Sequence, residues 1–396
     1  MKRPAFFYHM LLVTLLALMC SCSGSSSSSI AITSADKSSD SAVTGQRLYF
    51  RVSTVVDNPI AKYLWTASGG TIEDKDNSNN KNYIFWISPQ EPGTYTVTCT
   101  IRDDEGNVKA VPFTVDVSSR STKLLLSQDA LGMAKQAGVK IGGIWVSTKA
   151  DSRYYSFAGN TNLDWGGGYD LIAVQKNTYD QSAYTYITLI WAAKTGDNSL
   201  TYYKNGMSES TTLDECSKIT RLVIMDTDKD VFLLIGADNG LFVYYPTIDT
   251  IDTSVNSDVD SHVYDIKVYD SGALVATEKG LYKVTYNDSW TSELLYNDND
   301  PTYAVLKDTD GNIWRVIESN GAKVITCKDT ALAEQPPEVI DSLDQDLLGH
   351  VWCGKYYWDG DSWHDPTGIT DEVKQSMISP EGLAYIITTS GELFSW

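Results

Sequence analysis

A chain of 396 residues with 51 Asp and Glu against 31 Lys and Arg carries a formal charge of −20. Such a surface repels nucleic acids, sulfated glycans and anionic headgroups unless a metal ion intervenes. Beyond residue 22 the cysteines are Cys99, Cys216, Cys327 and Cys353, scattered and without a Cys-x-x-Cys pair, so neither a disulfide framework nor a zinc site is indicated, and a chain of this length buries an adequate core without one.

The first thirty residues bear on location. Lys2 and Arg3 precede an apolar stretch, Phe6 to Met19, too short to span a bilayer comfortably, and Cys20 and Cys22 precede the serine run Ser25 to Ser29. This pattern resembles a bacterial lipoprotein signal over residues 1–22. Cys22, preceded by small Ser21, is the expected acylation site and Cys20 the alternative; an ordinary secretory signal is the competing reading. Acyl chains contributing about 0.8 kcal/mol per buried methylene would fix the chain to a membrane, with 23–29 as a flexible tether. The expected place is the cell envelope outside the cytoplasm, at the outer membrane, with the choice between periplasmic and surface-exposed faces left open.

Residues 30–119 read as strands and turns. Leu48-Tyr49-Phe50-Arg51-Val52 alternates toward a core, Tyr63-Leu64-Trp65 runs into the turn Ser68-Gly69-Gly70, and Gly93 to Ile101 alternates throughout. The turn Asp103-Asp104-Glu105-Gly106-Asn107 then leads to a last strand, Val111 to Val117. Trp65, the strand from Gly93 and the Asp103 turn resemble the PKD family of immunoglobulin-like sandwiches, although Thr66 to Gly70 stands where that family has Asp-Phe-Gly-Asp-Gly. The resemblance implies a sandwich that serves as a spacer, with Trp65 and Tyr95 filling its core.

From 122 to 396 one unit recurs seven times. Gly143, Thr188, Asp230, Gly272, Gly311, Gly349 and Gly382 mark equivalent turns, each followed by an apolar or aromatic strand such as Ile144-Trp145-Val146 or Val351-Trp352. In four units a second turn follows, at Asn239-Gly240, Lys279-Gly280, Asn320-Gly321 and Ser390-Gly391, with the chemistry of tight β-turns. The period is that of a β-propeller blade, so the expected fold is all-β: an N-terminal immunoglobulin-like (PKD-like) sandwich followed by a seven-bladed β-propeller. Lys123 to Leu126 is expected to complete the last sheet beside Gly391 to Trp396. Asp129 to Ala137 shows no β pattern and is expected to be a loop or short helix, and the Ser-Trp pairs ending at Trp290, Trp363 and Trp396 are expected to pack between blades.

Asp308-Thr309-Asp310-Gly311-Asn312-Ile313-Trp314, and Ser271 to Tyr282, resemble the repeat of two-component-regulator propellers, the extracytoplasmic sensor half of some bacterial hybrid kinases. That likeness covers Ser217 to Trp396 well and Thr122 to Glu215 weakly. It implies a sensor-like binding scaffold and carries no catalytic residues. No apolar span or kinase segment is read after the repeats, so a lipid tether, without phosphotransfer, is the expectation.

Three groups of residues could carry chemistry. Asp226, Asp228 and Asp230, with Asp308 and Asp310, place carboxylates at alternate positions, as calcium loops do, but lack the glutamate at the twelfth position; the expectation is no cofactor, with calcium as the alternative. Trp165 and Tyr169 in a triple-glycine loop, with Tyr356 and Trp358, are candidate platforms for a sugar, although Tyr357 to Trp363 also aligns with Val284 to Trp290 as repeat residues. Paired carboxylates could serve a propeller-type glycosidase or lyase, yet there is no nucleophile elbow, zinc-binding His pair or phosphate loop, and His350 beside Val351-Trp352 reads as structural. The expectation is a binding protein for a glycan or a protein, not an enzyme; a polysaccharide-degrading enzyme and a structural accessory of an envelope complex are the rivals.

Overall fold

The computed structural model describes residues 30–396 apart from 56–58, 74–80, 138, 140–141, 157–158, 164–165, 176–177, 181–184, 188, 205–206, 228–229, 247–249, 271 and 297–299. Cys20, Cys22, Trp165, Thr188 and Asp228 therefore lie outside the described residues. The described chain is all-β, with one 3-10 turn at Val255–Ser257 and no helix long and apolar enough to cross a membrane. It divides into two compact units, Met1–Arg120 and Ser121–Trp396.

The first unit has two four-stranded sheets. One holds Ala31–Lys37, Arg47–Val55, Tyr83–Ile87 and Thr71–Ile72; the other holds Ser41–Val43, Val108–Ser118, Gly93–Asp103 and Ile60–Ala67. Alternation sends Leu48, Phe50 and Val52 from one sheet, and Val97, Cys99, Ile101, Phe113 and Val115 from the other, into a single core. Trp65 stacks on Phe113 at 6.1 Å in that core and donates its indole N–H to the Lys81 carbonyl at 3.0 Å. Tyr95 meets the expectation in part: it packs against that core. It is half-buried at the edge, where its ring occupies the space a Cβ on Gly69 would need, and its hydroxyl donates to the Glu91 carbonyl. Trp86 is fully buried, as is Phe50, and its N–H donates to the Gly69 carbonyl at 2.8 Å. Gly70 is held at φ +74°, and a Cβ there would lie 2.3 Å from the Ile87 carbonyl oxygen, so this turn demands glycine.

The second unit contains seven four-stranded antiparallel sheets in succession. Their leading strands are Ala130–Lys135, Leu171–Val174, Ile219–Asp226, Val263–Tyr269, Thr302–Lys307, Leu343–Gln345 and Val373–Ile378. Each leading strand touches the next, and the last touches the first, an organisation consistent with a β-propeller. The described turn positions Gly143, Asp230, Gly272, Gly311, Gly349 and Gly382 fall where the first strand of a sheet passes into the second. In the seventh sheet the fourth strand comes from the far end of the unit: Lys123–Leu126 pairs antiparallel with Leu393–Ser395. The second sheet carries an inserted hairpin, Thr178–Asp180 with Thr185–Ile187, that the repeat spacing did not reveal.

Rings seal the seams between sheets. Trp290 packs edge-on against Phe232 of the preceding sheet at 5.1 Å and donates its N–H to the Tyr245 hydroxyl at 2.9 Å. Trp396 lies 5.3 Å from Trp352, again one sheet back, and Trp363 joins the apolar cluster that spans the fifth and sixth sheets.

The segment from Asp129 is a correction: Ala130–Lys135 is the leading strand of the first sheet, neither loop nor helix. Its β signal is weak because strands lining the axis crowd their neighbours and select small side chains. A Cβ on Gly132 would lie 2.1 Å from the Asp170 carbonyl oxygen ahead of the next leading strand. Gly132→Ala should therefore destabilise the second unit by about 2 kcal/mol and lower its thermal midpoint by roughly 5 °C. An unchanged melting profile would show that this approach is not tight.

Candidate functional site

Five leading strands share a register shift one residue after they begin, which leaves Leu131, Thr220, Tyr264, Tyr303 and Lys374 outside the regular pairing. A bulge re-aims its side chain. Here the bulged residues reach across the seams: the Thr220 hydroxyl donates to the Val263 carbonyl at 2.7 Å, and Lys374 donates to the Leu131 carbonyl at 2.8 Å.

At the fourth and fifth sheets the bulged residues are both tyrosines, and they build a row. The Tyr264 ring lies 4.8 Å from Tyr303 and 4.4 Å from His262. Carboxylates border it. His262 Nδ1 is 2.7 Å from Asp238 Oδ1, the Tyr303 hydroxyl donates to Glu318 Oε2 at 2.9 Å, and Lys323 sits 4.5 Å over the Tyr303 ring while pairing with Asp341 at 2.6 Å. Burial, followed by the Glu318 hydrogen bond and charge, pushes the Tyr303 hydroxyl up to about 12. Burial also raises Tyr264, with Glu278, Asp341, Asp238 and Glu318 adding to the effect. Both phenols thus stay protonated at neutral pH. All three rings are half-buried, so each keeps some surface for a ligand. Flat rings beside hydrogen-bond acceptors suit a polyhydroxylated or cationic ligand.

The residues singled out from sequence are placed differently. Tyr169 accepts a hydrogen bond from the Tyr203 hydroxyl at 3.3 Å and packs on the cluster of Ala134, Ile172 and Val174 at the seam between the first and second sheets. Trp358 faces Trp363 at 5.6 Å in the apolar cluster around Leu343 and Val351, and Trp363 donates to the Glu334 carbonyl. Both pack on apolar clusters and both are half-buried. Tyr356, next to Trp358 on the same strand, is half-buried, with the Lys355 ammonium 5.7 Å from its ring. None of the three joins the row. His262, Tyr264 and Tyr303 escaped sequence reading, although one signal was present: Val263-Tyr264 and Thr302-Tyr303 place an aromatic residue after a buried strand start, 39 residues apart.

The acidic turns serve the backbone. Asp308 Oδ1 accepts the N–H groups of Asp310 and Asn312 at 3.0 and 2.8 Å, and Oδ2 accepts the Asn312 amide and the Trp314 indole at 2.9 and 2.8 Å. A carboxylate so occupied is a turn cap and would have to give up these donors to bind calcium. Asp346 repeats the device with Leu348, His350 and Trp352, which gives His350 its structural place. Asp310 contributes its backbone N–H to the Asp308 cap, while the Thr227 hydroxyl accepts the Asp230 N–H. Among the described residues no three His, Cys, Asp or Glu side chains are disposed to hold a metal ion. Ser362, His364 and Asp359 lie close together, but serine and aspartate both contact the same imidazole nitrogen, at 3.1 and 2.7 Å; a nucleophilic relay uses both ring nitrogens.

Burial alone would raise the Asp308 carboxyl, but hydrogen bonds from Trp314 and Asn312 outweigh it and hold the group below its ordinary range. The stability it contributes is present above the ordinary carboxylate pKa and is lost as pH falls through the lowered folded value. Asp308→Ala should cost about 2 kcal/mol at neutral pH by orphaning four donors, and the deficit should narrow below about pH 4. A deficit that is the same in acid and at neutrality, in parallel thermal melts, would show that the charge plays no part.

No family model matches the chain, and no curated protein matches it. Solved structures are similar in part. The extracellular domain of a one component system from B. thetaiotaomicron aligns over 69% of this chain and 40% of its own, at 16% identity and TM-score 0.47, so the chain spans about two fifths of that protein. A catalytically inactive virginiamycin B lyase from Staphylococcus aureus, solved with quinupristin, aligns over 69% of this chain and 98% of its own, at 11% identity and TM-score 0.47. A protein of unknown function from Bacteroides thetaiotaomicron VPI-5482 covers 92% of this chain and 97% of its own, at 12% identity and TM-score 0.42. At these values the likenesses assign the chain neither a family nor an activity.

Proposed function

We propose that the chain is an extracytoplasmic binding protein in which a seven-bladed propeller, 122–396, binds a glycan or a protein partner at the mouth where its leading strands begin. The observation that supports this reading is the row His262, Tyr264 and Tyr303, carried by the fourth and fifth sheets and bordered by Asp238, Glu318 and Asp341. No step of catalysis is needed to account for it. In this reading 30–119 is an immunoglobulin-like sandwich of the PKD kind, 23–29 a tether, and the lipoprotein-like segment 1–22 directs acylation of Cys22, or of Cys20, at the envelope.

A glycan array and a pull-down with the full chain test the mouth. Tyr264→Ala and Tyr303→Ala should each weaken retention tenfold or more, about 1.4 kcal/mol, with little change in melting temperature. Undiminished retention in both variants would remove the site. The anchor is tested separately: metabolic acyl labelling should disappear in Cys22→Ser, and loss in Cys20→Ser alone would move the modification.

A further inference from the structure

The first unit has a second surface that its role as a spacer leaves unused. In the sheet of Ala31–Lys37, Arg47–Val55, Tyr83–Ile87 and Thr71–Ile72, the residues alternating with the core face outward. Arg47, Tyr49 and Arg51 lie directly across from Ile87, Phe85 and Tyr83, and Asp36 lies across from Arg51 on the other side. Tyr49, Phe85 and Tyr83 form a continuous aromatic cluster with centroid separations of 5.6, 5.9 and 6.2 Å, and Tyr83 is 37% exposed. The core of this unit is built from the opposite phase, Leu48, Phe50, Val52, Ile84 and Trp86, so these three rings are not needed to fill it. Aromatic side chains grouped on the solvent side of a sheet mark a surface that meets something.

We propose that this face binds a neutral polysaccharide chain. Charge balance decides the class of ligand. Arg47 is held by Glu73 through two bonds of 2.7 and 2.6 Å, and Arg51 lies opposite Asp36. Arg47 is thus matched by a carboxylate, Arg51 hydrogen-bonds Tyr49 with Asp36 across the strand pair, and Lys81 lies 5.9 Å from the Tyr83 ring, while residues 30–120 as a whole hold nine Lys and Arg against eleven Asp and Glu and 121–396 hold 20 against 40. A polyanion meets an excess of carboxylates over cations in both units. A neutral sugar finds apolar ring faces flanked by planar donors and acceptors in register, which is what vicinal hydroxyl groups require. The rings are inclined to one another by 35 to 78°, a ridged surface that fits a single soluble chain better than the flat face of a crystalline polymer.

This inference does not depend on the propeller mouth. Native affinity electrophoresis of the full chain in gels containing laminarin, glucomannan or polygalacturonate tests it. Retardation is expected in at least one of the two neutral gels, weakened tenfold or more in the double variant Tyr49→Ala/Tyr83→Ala and weakened in Arg51→Gln, which leaves the rings in place should the double variant fold poorly. No retardation in either neutral gel, retardation by polygalacturonate alone, or full retardation in both variants would overturn the proposal. So would a concentration-dependent dimer, seen by sedimentation and abolished by the double variant, because the face would then be covered by a second copy. Loss of retardation in Tyr264→Ala with full retardation in Tyr49→Ala/Tyr83→Ala would place the binding on the second unit, overturning this inference while sustaining the other reading.

Discussion

Seven four-stranded sheets arranged side by side leave seven leading edges whose backbone groups have no fifth strand to pair with. An unpaired edge is a liability in any β-protein, and a buried unpaired group costs about 1–3 kcal/mol. The second unit answers at every seam. Gln136 donates to the Gln175 carbonyl, Gly196 N–H to Ile219, Thr220 to Val263, Val305 N–H to Asp265, Thr309 N–H to Gln345, Ile378 N–H to Asp344, and Gln375 to Met133. Side chains of one sheet thus do much of what a neighbouring strand would do.

That constraint explains where charge is found near the axis. Asp344 is buried beside Lys135 at 3.3 Å, and Asp265 faces Arg221 at 3.9 Å. Burial pushes the Asp344 carboxyl up, but Lys135, Lys267 and the N–H groups of Ile378 and Gln345 together hold it below its ordinary value. These groups are engaged in holding sheets together, so polar residues lining the ring are explained by assembly before any ligand is invoked. The same economy governs the acidic turns: Asp308 and Asp346 each tie a five-residue turn to the indole N–H of a tryptophan six residues on. Asp103 caps the Asn107 turn of the first unit in the same way without a tryptophan. Part of the chain's acidity is therefore spent on turns.

These caps also show why so much of the fold could be read from the sequence. The Asp308 to Trp314 run and the glycines that follow it specify local geometry, and local geometry repeats wherever the letters do. Pairing of Lys123–Leu126 with the chain's last strand was legible too, because a closed ring leaves those two segments one partner each. Ala130–Lys135 was not, since its identity as a strand comes from a neighbour, through the space Gly132 must leave free, and not from β-propensity. Tyr264 and Tyr303 were hidden for a related reason. Their direction is set by a one-residue shift in pairing, which the alternation of apolar and polar residues cannot report.

An aromatic-rich chain offers many false platforms, and the physical test that separates them is whether a ring is required elsewhere. Trp290, Trp363 and Trp396 each seal a seam between sheets, and Trp65 and Trp86 belong to the core of the first unit, so their loss would be felt as instability. Tyr264 and Tyr303 were displaced from the ladder by a bulge, and Tyr83 sits in the phase of its strand that the core does not use. Rings held in place by backbone geometry, rather than by packing that consumes their surface, keep that surface available to a ligand without ordering cost at the moment of binding. Both proposed surfaces meet that condition by different means, a shifted register in one unit and the free face of a sheet in the other.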